Sequence, residues 1–194
     1  GCVAPDNSIC YTYDANGNVL TETDNNGTVT RVYDAMNRVT RVIDTNGNVI
    51  QYDYDDVGNI TRIHYPDDTT VNYAYDANKN LISVTDWSYR VTSYSYDVNN
   101  KLIGVTNPDG STIVKTYDTK QRITSSVERD AFNNLIAGYE YTYDDIGRVI
   151  CEKHIDDNKT SCYNYDNVSY IKNDVINSLS NEVKHEPYIA LAGG

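Results

Sequence analysis

The sequence is poor in several residues that ordinary protein cores use, with one Phe, one Trp and one Met among 194 residues. It has only four prolines and no apolar run near the roughly 18–20 residues that a membrane-spanning helix needs. Basic residues are scarce too, because 16 Lys and Arg stand against 28 Asp and Glu, for a net charge of −12. This charge repels phosphate backbones and anionic lipid headgroups. The sequence therefore predicts neither membrane insertion nor nucleic acid binding.

Tyrosine, with 19 residues, supplies nearly all of the aromatic content, and it is arranged in a repeat. The dipeptide Tyr-Asp recurs at intervals of about 21 residues, and Val, Ile or Leu stands six positions after every repeat Tyr. A second Tyr often lies two residues earlier, which is the strand period and places both rings on one face. The signature pairs are Tyr13-Asp14, Tyr33-Asp34, Tyr54-Asp55, Tyr75-Asp76, Tyr96-Asp97, Tyr117-Asp118, Tyr143-Asp144 and Tyr165-Asp166.

Each signature pair opens a turn sequence, as in Asp14-Ala15-Asn16-Gly17-Asn18. Gly and Asn tolerate positive φ, and the Asp side chain caps such a turn. A second turn signal, such as Asp44-Thr45-Asn46-Gly47 or Tyr65-Pro66-Asp67-Asp68, follows about ten residues later. Strict turn geometry is not assured in the four repeats that lack the Gly, which have Asn37, Lys79, Asn100 and Gln121 in its place.

One period of the repeat thus predicts strand, turn, strand, turn, and the chain is predicted to be all-β. We expect an antiparallel strip of about sixteen hairpin strands that twists and curls. The longer interval between Tyr117 and Tyr143 predicts an extended hairpin or protruding loop with Phe132 near its tip.

The repeat divides the chain into three segments. Residues 1–10 form a lead-in, residues 11–172 the repeat array, and residues 173–194 a tail. Helical spacing of apolar residues over Asp174–Lys184 predicts a short helix in this tail, with irregular structure as the alternative. The chain begins with Gly1 and not with Met, and we expect it to be an excised or processed piece.

Four cysteines lie near the two ends of the array. Cys151 and Cys162 are equally distant from a turn at residues 156–157, so they face each other in a two-stranded hairpin. Cys2 and Cys10 flank another turn signal in the same way. We predict two local disulfides, which imply an oxidising compartment, with four inert thiols as the alternative. A zinc site is not favoured, because no Cys-x-x-Cys pair occurs.

The motif Tyr-x-Tyr-Asp-x-x-Gly-Asn/Arg-Val/Ile/Leu, repeated between Tyr11 and Ile171, resembles the YD-repeat or RHS-repeat family. That family includes bacterial polymorphic toxins, wall-associated proteins, the C components of insecticidal toxin complexes and the animal teneurins. The resemblance implies a secreted or cell-surface protein whose β-strip spirals into a hollow shell, which in the toxins encloses a cytotoxic C-terminal domain. Self-cleavage is not implied, because the Asp-Pro elements of the RHS-associated core are missing.

The sequence predicts no enzyme, no metal and no cofactor. The signature Asp recurs at every turn, which indicates a structural role, and His64, His154 and His185 are scattered without a nucleophile in an elbow context. Asp14, Asn16 and Asn18 imitate the start of an EF-hand loop, but the Gly and Glu that should follow are missing. Turn chemistry explains these residues without calcium.

Two functions fit these features. The first is a structural module of a larger secreted or cell-surface protein, forming shell wall or scaffold for a neighbouring domain of the same polypeptide. The second is an adhesive module that binds a glycan or a protein through a Tyr-rich surface or through Trp87, Tyr89 and Phe132, which break the repeat. Rings that line a concave interior favour the shell, whereas an exposed row of rings favours adhesion.

Overall fold

The computed structural model describes residues 8–165 and, for the backbone alone, residues 171–177. Every regular element in this part of the chain is a β-strand. The chain divides into two compact units, residues 1–92 and 93–194, and within each unit the strands are neighbours in chain order. The predicted all-β hairpin fold is confirmed. None of the described residues forms a helix long and apolar enough to cross a bilayer.

Each unit is built from antiparallel hairpins. The strands of the first are β1 (Cys10–Tyr13), β2 (Val19–Asp24), β3 (Gly27–Tyr33), β4 (Val39–Ile43), β5 (Val49–Tyr54), β6 (Ile60–His64), β7 (Thr70–Tyr75) and β8 (Leu81–Thr85). The second contains most of β9 (Val91–Tyr96), which begins two residues before the boundary, together with β10 (Leu102–Thr106), β11 (Thr112–Tyr117), β12 (Ile123–Arg129), β13 (Leu135–Tyr143), β14 (Val149–His154), β15 (Thr160–Tyr165) and β16 (Ile171–Asn177).

The repeat signature marks the strand boundaries. The signature Tyr is the last residue of each odd-numbered strand, and the aliphatic residue six positions later begins the next strand, as in Tyr54 and Ile60. The ladder register shifts between Asp53 and Tyr54, and equivalent shifts occur in the other signature hairpins. Each signature turn therefore joins its strands through a β-bulge, which increases the local twist.

Two backbone hydrogen bonds close each of the seven signature turns that the structure describes. In the turn after Tyr54, the Asp55 N–H donates to the Asn59 carbonyl at 2.9 Å and the Gly58 N–H donates to the Asp55 carbonyl at 3.2 Å. Gly58 has a φ of 95°, so the loop is a three-residue hairpin turn with a left-handed bulge residue. The four residues that replace this Gly adopt the same left-handed region, with φ of 60°, 66°, 62° and 65° at Asn37, Lys79, Asn100 and Gln121. The turn geometry is thus kept without Gly.

The described residues form a single-layer sheet in each unit, and only Val71, Ser111 and Gly138 among them are buried. Cross-strand pairs take the place of a core. On one face Tyr52 lies opposite Ile63, and Ile63 lies opposite Val71. Pairs of this kind contribute roughly 0.2–1 kcal/mol each relative to alanine pairs. Stability therefore depends on contacts between adjacent strands.

The longer interval is an extended hairpin, which was one of the two predicted forms. Strands β12 and β13 pair from Ser125 opposite Glu140 to Arg129 opposite Leu135. Phe132 lies in the turn that joins them.

The C-terminal boundary differs from the prediction. A tail was predicted from residue 173 with helical spacing from Asp174, but residues 171–177 form strand β16, which pairs with β15 from Tyr165 opposite Ile171 to Thr160 opposite Asn177. The exposed hydrogen-bonding edge of β15 offers this segment a ladder of partners, which outweighs a helical spacing of a few apolar residues. The rest of the predicted helix and tail, from residue 178 onward, lies outside the described residues.

The structure contains a disulfide between Cys151 and Cys162. The two residues are directly opposite each other on β14 and β15, with their Cα atoms 4.0 Å apart. Hairpin symmetry predicted this arrangement. Cys2 lies outside the described residues, so the pairing of Cys2 with Cys10 stays a prediction.

We expect the double variant Cys151→Ser/Cys162→Ser to lower the stability of the β14–β15 hairpin by about 2–3 kcal/mol, because the bond closes a short loop in the unfolded chain. Its sequence separation is 11 residues. Amide hydrogen exchange of β14 and β15 measures the loss. Wild-type protein under reductant is the matched control and should show the same exchange rates as the variant. Unchanged protection in both samples would contradict this account.

Candidate functional site

The signature Tyr forms a hydrogen bond that joins successive repeats. Its hydroxyl donates to the backbone carbonyl of the aliphatic residue that begins the adjacent earlier strand. Tyr54 reaches Val39 at 2.6 Å, and Tyr117 reaches Leu102 at 2.9 Å. The same bond occurs from Tyr33 to Val19, Tyr75 to Ile60, Tyr143 to Ile123 and Tyr165 to Val149, at 2.6–3.0 Å. We call this bond the tyrosine staple.

The signature Asp caps its own turn. In Asp14, Oδ1 accepts the backbone N–H groups of Asn16 and Asn18 at 2.9 and 2.8 Å, and Oδ2 accepts the side-chain amide of Asn18 at 2.9 Å. Donors directed at the charged form stabilise it, so the side-chain bond from Asn18, followed by the backbone bonds, holds the pKa of Asp14 below its ordinary value. The carboxylate that resembled a calcium ligand is thus occupied by N–H donors of its own turn.

Where the turn ends in Arg, that side chain connects two repeats. Arg122 donates from Nε to Asp118 Oδ2 at 2.7 Å and from Nη1 to the carbonyl of Asp144 at 3.1 Å. Its guanidinium carbon lies 4.4 Å from the ring centroid of Tyr143. A guanidinium in this position makes a cation–π contact with the next signature ring. Arg38 makes the equivalent three contacts with its own turn and the next repeat.

Sequence reasoning treated the residue before the aliphatic position as turn chemistry alone. The structure shows that it is also a contact between repeats at several positions where it is Arg or Lys, and at Asn18. Lys101 lies 5.9 Å from the Tyr117 ring, and the Asn18 amide donates to Asn37 of the next repeat at 2.7 Å. The recurrence of Asn, Arg and Lys at this one position was the available signal.

The three predicted partner-binding residues all lie in turns and are exposed. Trp87 is 56% exposed, Tyr89 is 89% exposed, and Phe132 is 86% exposed. Trp87 and Tyr89 share the turn from β8 to β9, which Asp86 caps through the N–H groups of Ser88 and Arg90. Phe132 belongs to the other unit.

Trp87 lines an open depression of ≈ 580 Å³ in the first unit. The other lining residues are Asn48, Tyr65, Pro66, Asp67 and Thr69, whereas Tyr89 is not among them. The sequence pattern predicted only a turn at residues 65–68. It did not predict that this turn and Trp87 line one depression. The available sequence signal was Tyr65, which stands at the first position of its turn, where the neighbouring turns have the capping residues Asp44 and Asp86.

The two described histidines, His64 and His154, are paired with carboxylates, and His185 lies outside the described residues. His64 Nε2 lies 2.9 Å from Asp53 Oδ2, and ligand atoms of His154, Asp156 and Asp157 lie within 4.8 Å of one another. The Lys159 ammonium already contacts Asp157 at 2.6 Å. Within the described part of the chain, neither His64 nor His154 hydrogen-bonds to a Ser, Thr or Cys side chain. The geometry supplies no activated nucleophile at either position.

The RHS Repeat family model matches residues 13–49, 54–91, 75–112 and 96–132. These matches cover more than half of the chain, and the chain therefore belongs to the RHS-repeat family, as its motif predicted.

Solved structures with a similar strand arrangement are distant. A TcdB2-TccC3 structure has a TM-score of 0.35 and a TcdB2-TccC3-Cdc42 structure a TM-score of 0.32, both at 12% identity. A Tc holotoxin pore of Photorhabdus luminescens with a TccC3 mutation has a TM-score of 0.33 at 12% identity. Each alignment covers 86% of this chain and 14% of the other. Comparison with curated proteins gives no match.

We expect Tyr54→Phe to destabilise the array by about 0.5–1.5 kcal/mol, because it removes one staple while keeping the ring under Arg38. Tyr13→Phe is the matched control. Its hydroxyl has no partner among the described residues, and Tyr13 is 57% exposed. Thermal unfolding of both variants beside the wild type measures the difference. Equal effects of the two substitutions would show that the staple is not the source of stability.

The turn carboxylates predict a loss of stability in acid. The pKa values of Asp14, Asp44 and Asp76 lie below the ordinary 3.8, with the side-chain amide bond of the turn Asn as the largest cause. A lowered pKa in the folded state contributes stability above about pH 4, and this is lost as pH falls through the folded values. Burial raises the pKa of Tyr54 and Tyr75 above 10.0, so stability also falls as pH rises beyond this value.

Melting temperature measured against pH should therefore show a plateau that declines on both sides. Asp76→Asn tests the acid side, because an amide cannot accept the same charged bonds. We expect this variant to be less stable than the wild type near neutral pH, and the difference should shrink as pH falls through the lowered pKa of Asp76. A constant difference across the range would refute the role of the charge.

Proposed function

We propose that this chain is a non-catalytic structural module of a larger secreted or cell-surface protein, forming wall or scaffold for a neighbouring domain of the same polypeptide. The observation that carries the proposal is the staple. The hydroxyl of the signature Tyr and the oxygens of the signature Asp are used in bonds within or between adjacent repeats. A residue whose polar atoms are committed to the repeat cannot also act on a substrate. The signature residues therefore serve to assemble the sheet of successive repeats.

The properties of the surface support the same proposal. The signature rings from Tyr33 onward are half-buried and do not form an exposed row. The Cys151–Cys162 disulfide suits an oxidising compartment, which agrees with secretion. The family resemblance adds toxin domains as one kind of neighbour, and the chain spans only 14% of the length of the TccC3 structures compared above.

Adhesion is the second candidate, and one observation favours it. Trp87, Tyr89 and Phe132 are large aromatic residues that break the repeat and are exposed in turns. Exposed aromatic rings of this kind are frequent anchors of binding surfaces. Trp87 and Tyr89 lie in one turn and Phe132 in another, and these few residues give adhesion less support than the recurring staple gives the structural role.

The scaffold proposal is tested in the parent polypeptide. Tyr54→Ala/Tyr117→Ala removes two staples and their rings in different units, and should expose the neighbouring domain to proteolysis. The matched control is Tyr13→Ala, which removes a signature ring without a staple and should leave protection unchanged. A neighbouring domain that is digested equally fast in wild type and double variant would contradict scaffolding. Hydrolase, transferase or nuclease turnover by the purified chain would contradict the non-catalytic part.

A further inference from the structure

Residues that break the repeat meet at one place in the first unit. Trp87 is the single Trp of the chain, and Tyr65 stands outside the signature register. Both line the ≈ 580 Å³ depression together with Asn48, Asp67 and one further turn pair, Pro66 and Thr69. Residues that hold adjacent repeats together recur at the repeat period, whereas Tyr65 and Trp87 do not. The scaffold therefore gives no reason for their presence in one depression.

Part of the hydrogen-bonding capacity of the depression is already used. Thr69 Oγ1 donates to Asp67 Oδ1 at 2.7 Å, and Asn48 Nδ2 donates to Asp44 Oδ2 at 2.8 Å. Among the described residues, Asp67 Oδ2 and Asn48 Oδ1 accept no hydrogen bond. These two acceptors lie in a depression that is also lined by the rings of Tyr65 and Trp87.

The charge of the depression is negative. Asp67 contributes a carboxylate, and neither Lys nor Arg lines the depression. The nearest cationic residue in the Trp87 turn, Arg90, is bound to Asp86 at 2.7 Å. The chain as a whole carries a net charge of −12, which concentrates cations near its surface.

We propose that this depression binds an organic cation that carries a quaternary or N-methylated ammonium group. The negative faces of Trp and Tyr rings attract such a cation, and a carboxylate complements its charge. Its methyl groups need apolar walls, which the rings of Tyr65, Pro66 and Trp87 provide. This inference is independent of the scaffold role.

The single Trp makes the test direct, because indole fluorescence of the full chain reports on Trp87 alone. We expect choline to change this fluorescence in a saturable way. The uncharged carbon isostere dimethylbutanol has the same shape without the charge, and should bind roughly tenfold more weakly or not at all. Loss of the response at high ionic strength would agree with a charge-dependent site.

Three variants locate the site. Asp67→Asn and Tyr65→Leu should each weaken choline binding by roughly tenfold, since they remove the carboxylate and one ring. Tyr89→Leu is the matched control: it removes the neighbouring exposed ring that does not line the depression, and should leave binding unchanged. Circular dichroism checks that each variant keeps the sheet, which we expect because the substitutions lie in open turns.

Several results would overturn the proposal. These are the absence of a saturable choline response, an equal response to dimethylbutanol, or unchanged affinity in Asp67→Asn. Saturable binding of a neutral oligosaccharide without any response to choline would also overturn it, and would favour the adhesive alternative. The comparison of choline with its isostere uses wild-type protein, so it decides the question even when a variant fails to fold.

Discussion

The hydrogen bond from the signature Tyr hydroxyl to a strand-start carbonyl is the interaction on which the rest of the structure depends. Each unit is a single layer whose described residues bury almost nothing completely, so a shared core cannot hold distant strands together. Stability must come from contacts between neighbours along the chain, as in other repeat proteins. The staple provides such a contact in most periods, for example from Tyr54 to Val39.

The turn residue before the aliphatic position determines how strongly neighbouring repeats are connected. The Asn59 side-chain amide donates to the Asp55 carboxylate, and this bond lies within one turn. Arg122 closes its turn through Asp118, covers the next signature ring and binds the next turn's backbone. One position of the repeat therefore selects between a local cap and a connection across repeats. Variation at this position changes the coupling between repeats and leaves the fold unchanged.

The residues that repeat along this chain differ from the residues of the proposed binding site. The signature Tyr, Asp and turn residues have their polar atoms engaged in the scaffold, in copy after copy. Tyr65 and Trp87 have no counterpart in the period, and they meet beside the free carboxylate oxygen of Asp67. A uniform wall that carries one irregular depression is compatible with a structural module that also binds a small ligand. The proposed scaffold role and the proposed ligand-binding role use different residues. Substitutions in one set can therefore occur without affecting the other role.

The sequence by itself determined the hairpin order and the strand boundaries at the signature turns, because both depend on spacing within about ten residues and on local turn chemistry. It also determined that Cys151 faces Cys162, since one hairpin contains both. Only the tertiary structure decided which carbonyl the Tyr54 hydroxyl reaches, that β16 continues through Asn177 as a strand, and that Tyr65 lies near Trp87. These contacts join residues of different strands and turns, and they depend on the register and twist of neighbouring hairpins, which no local pattern encodes.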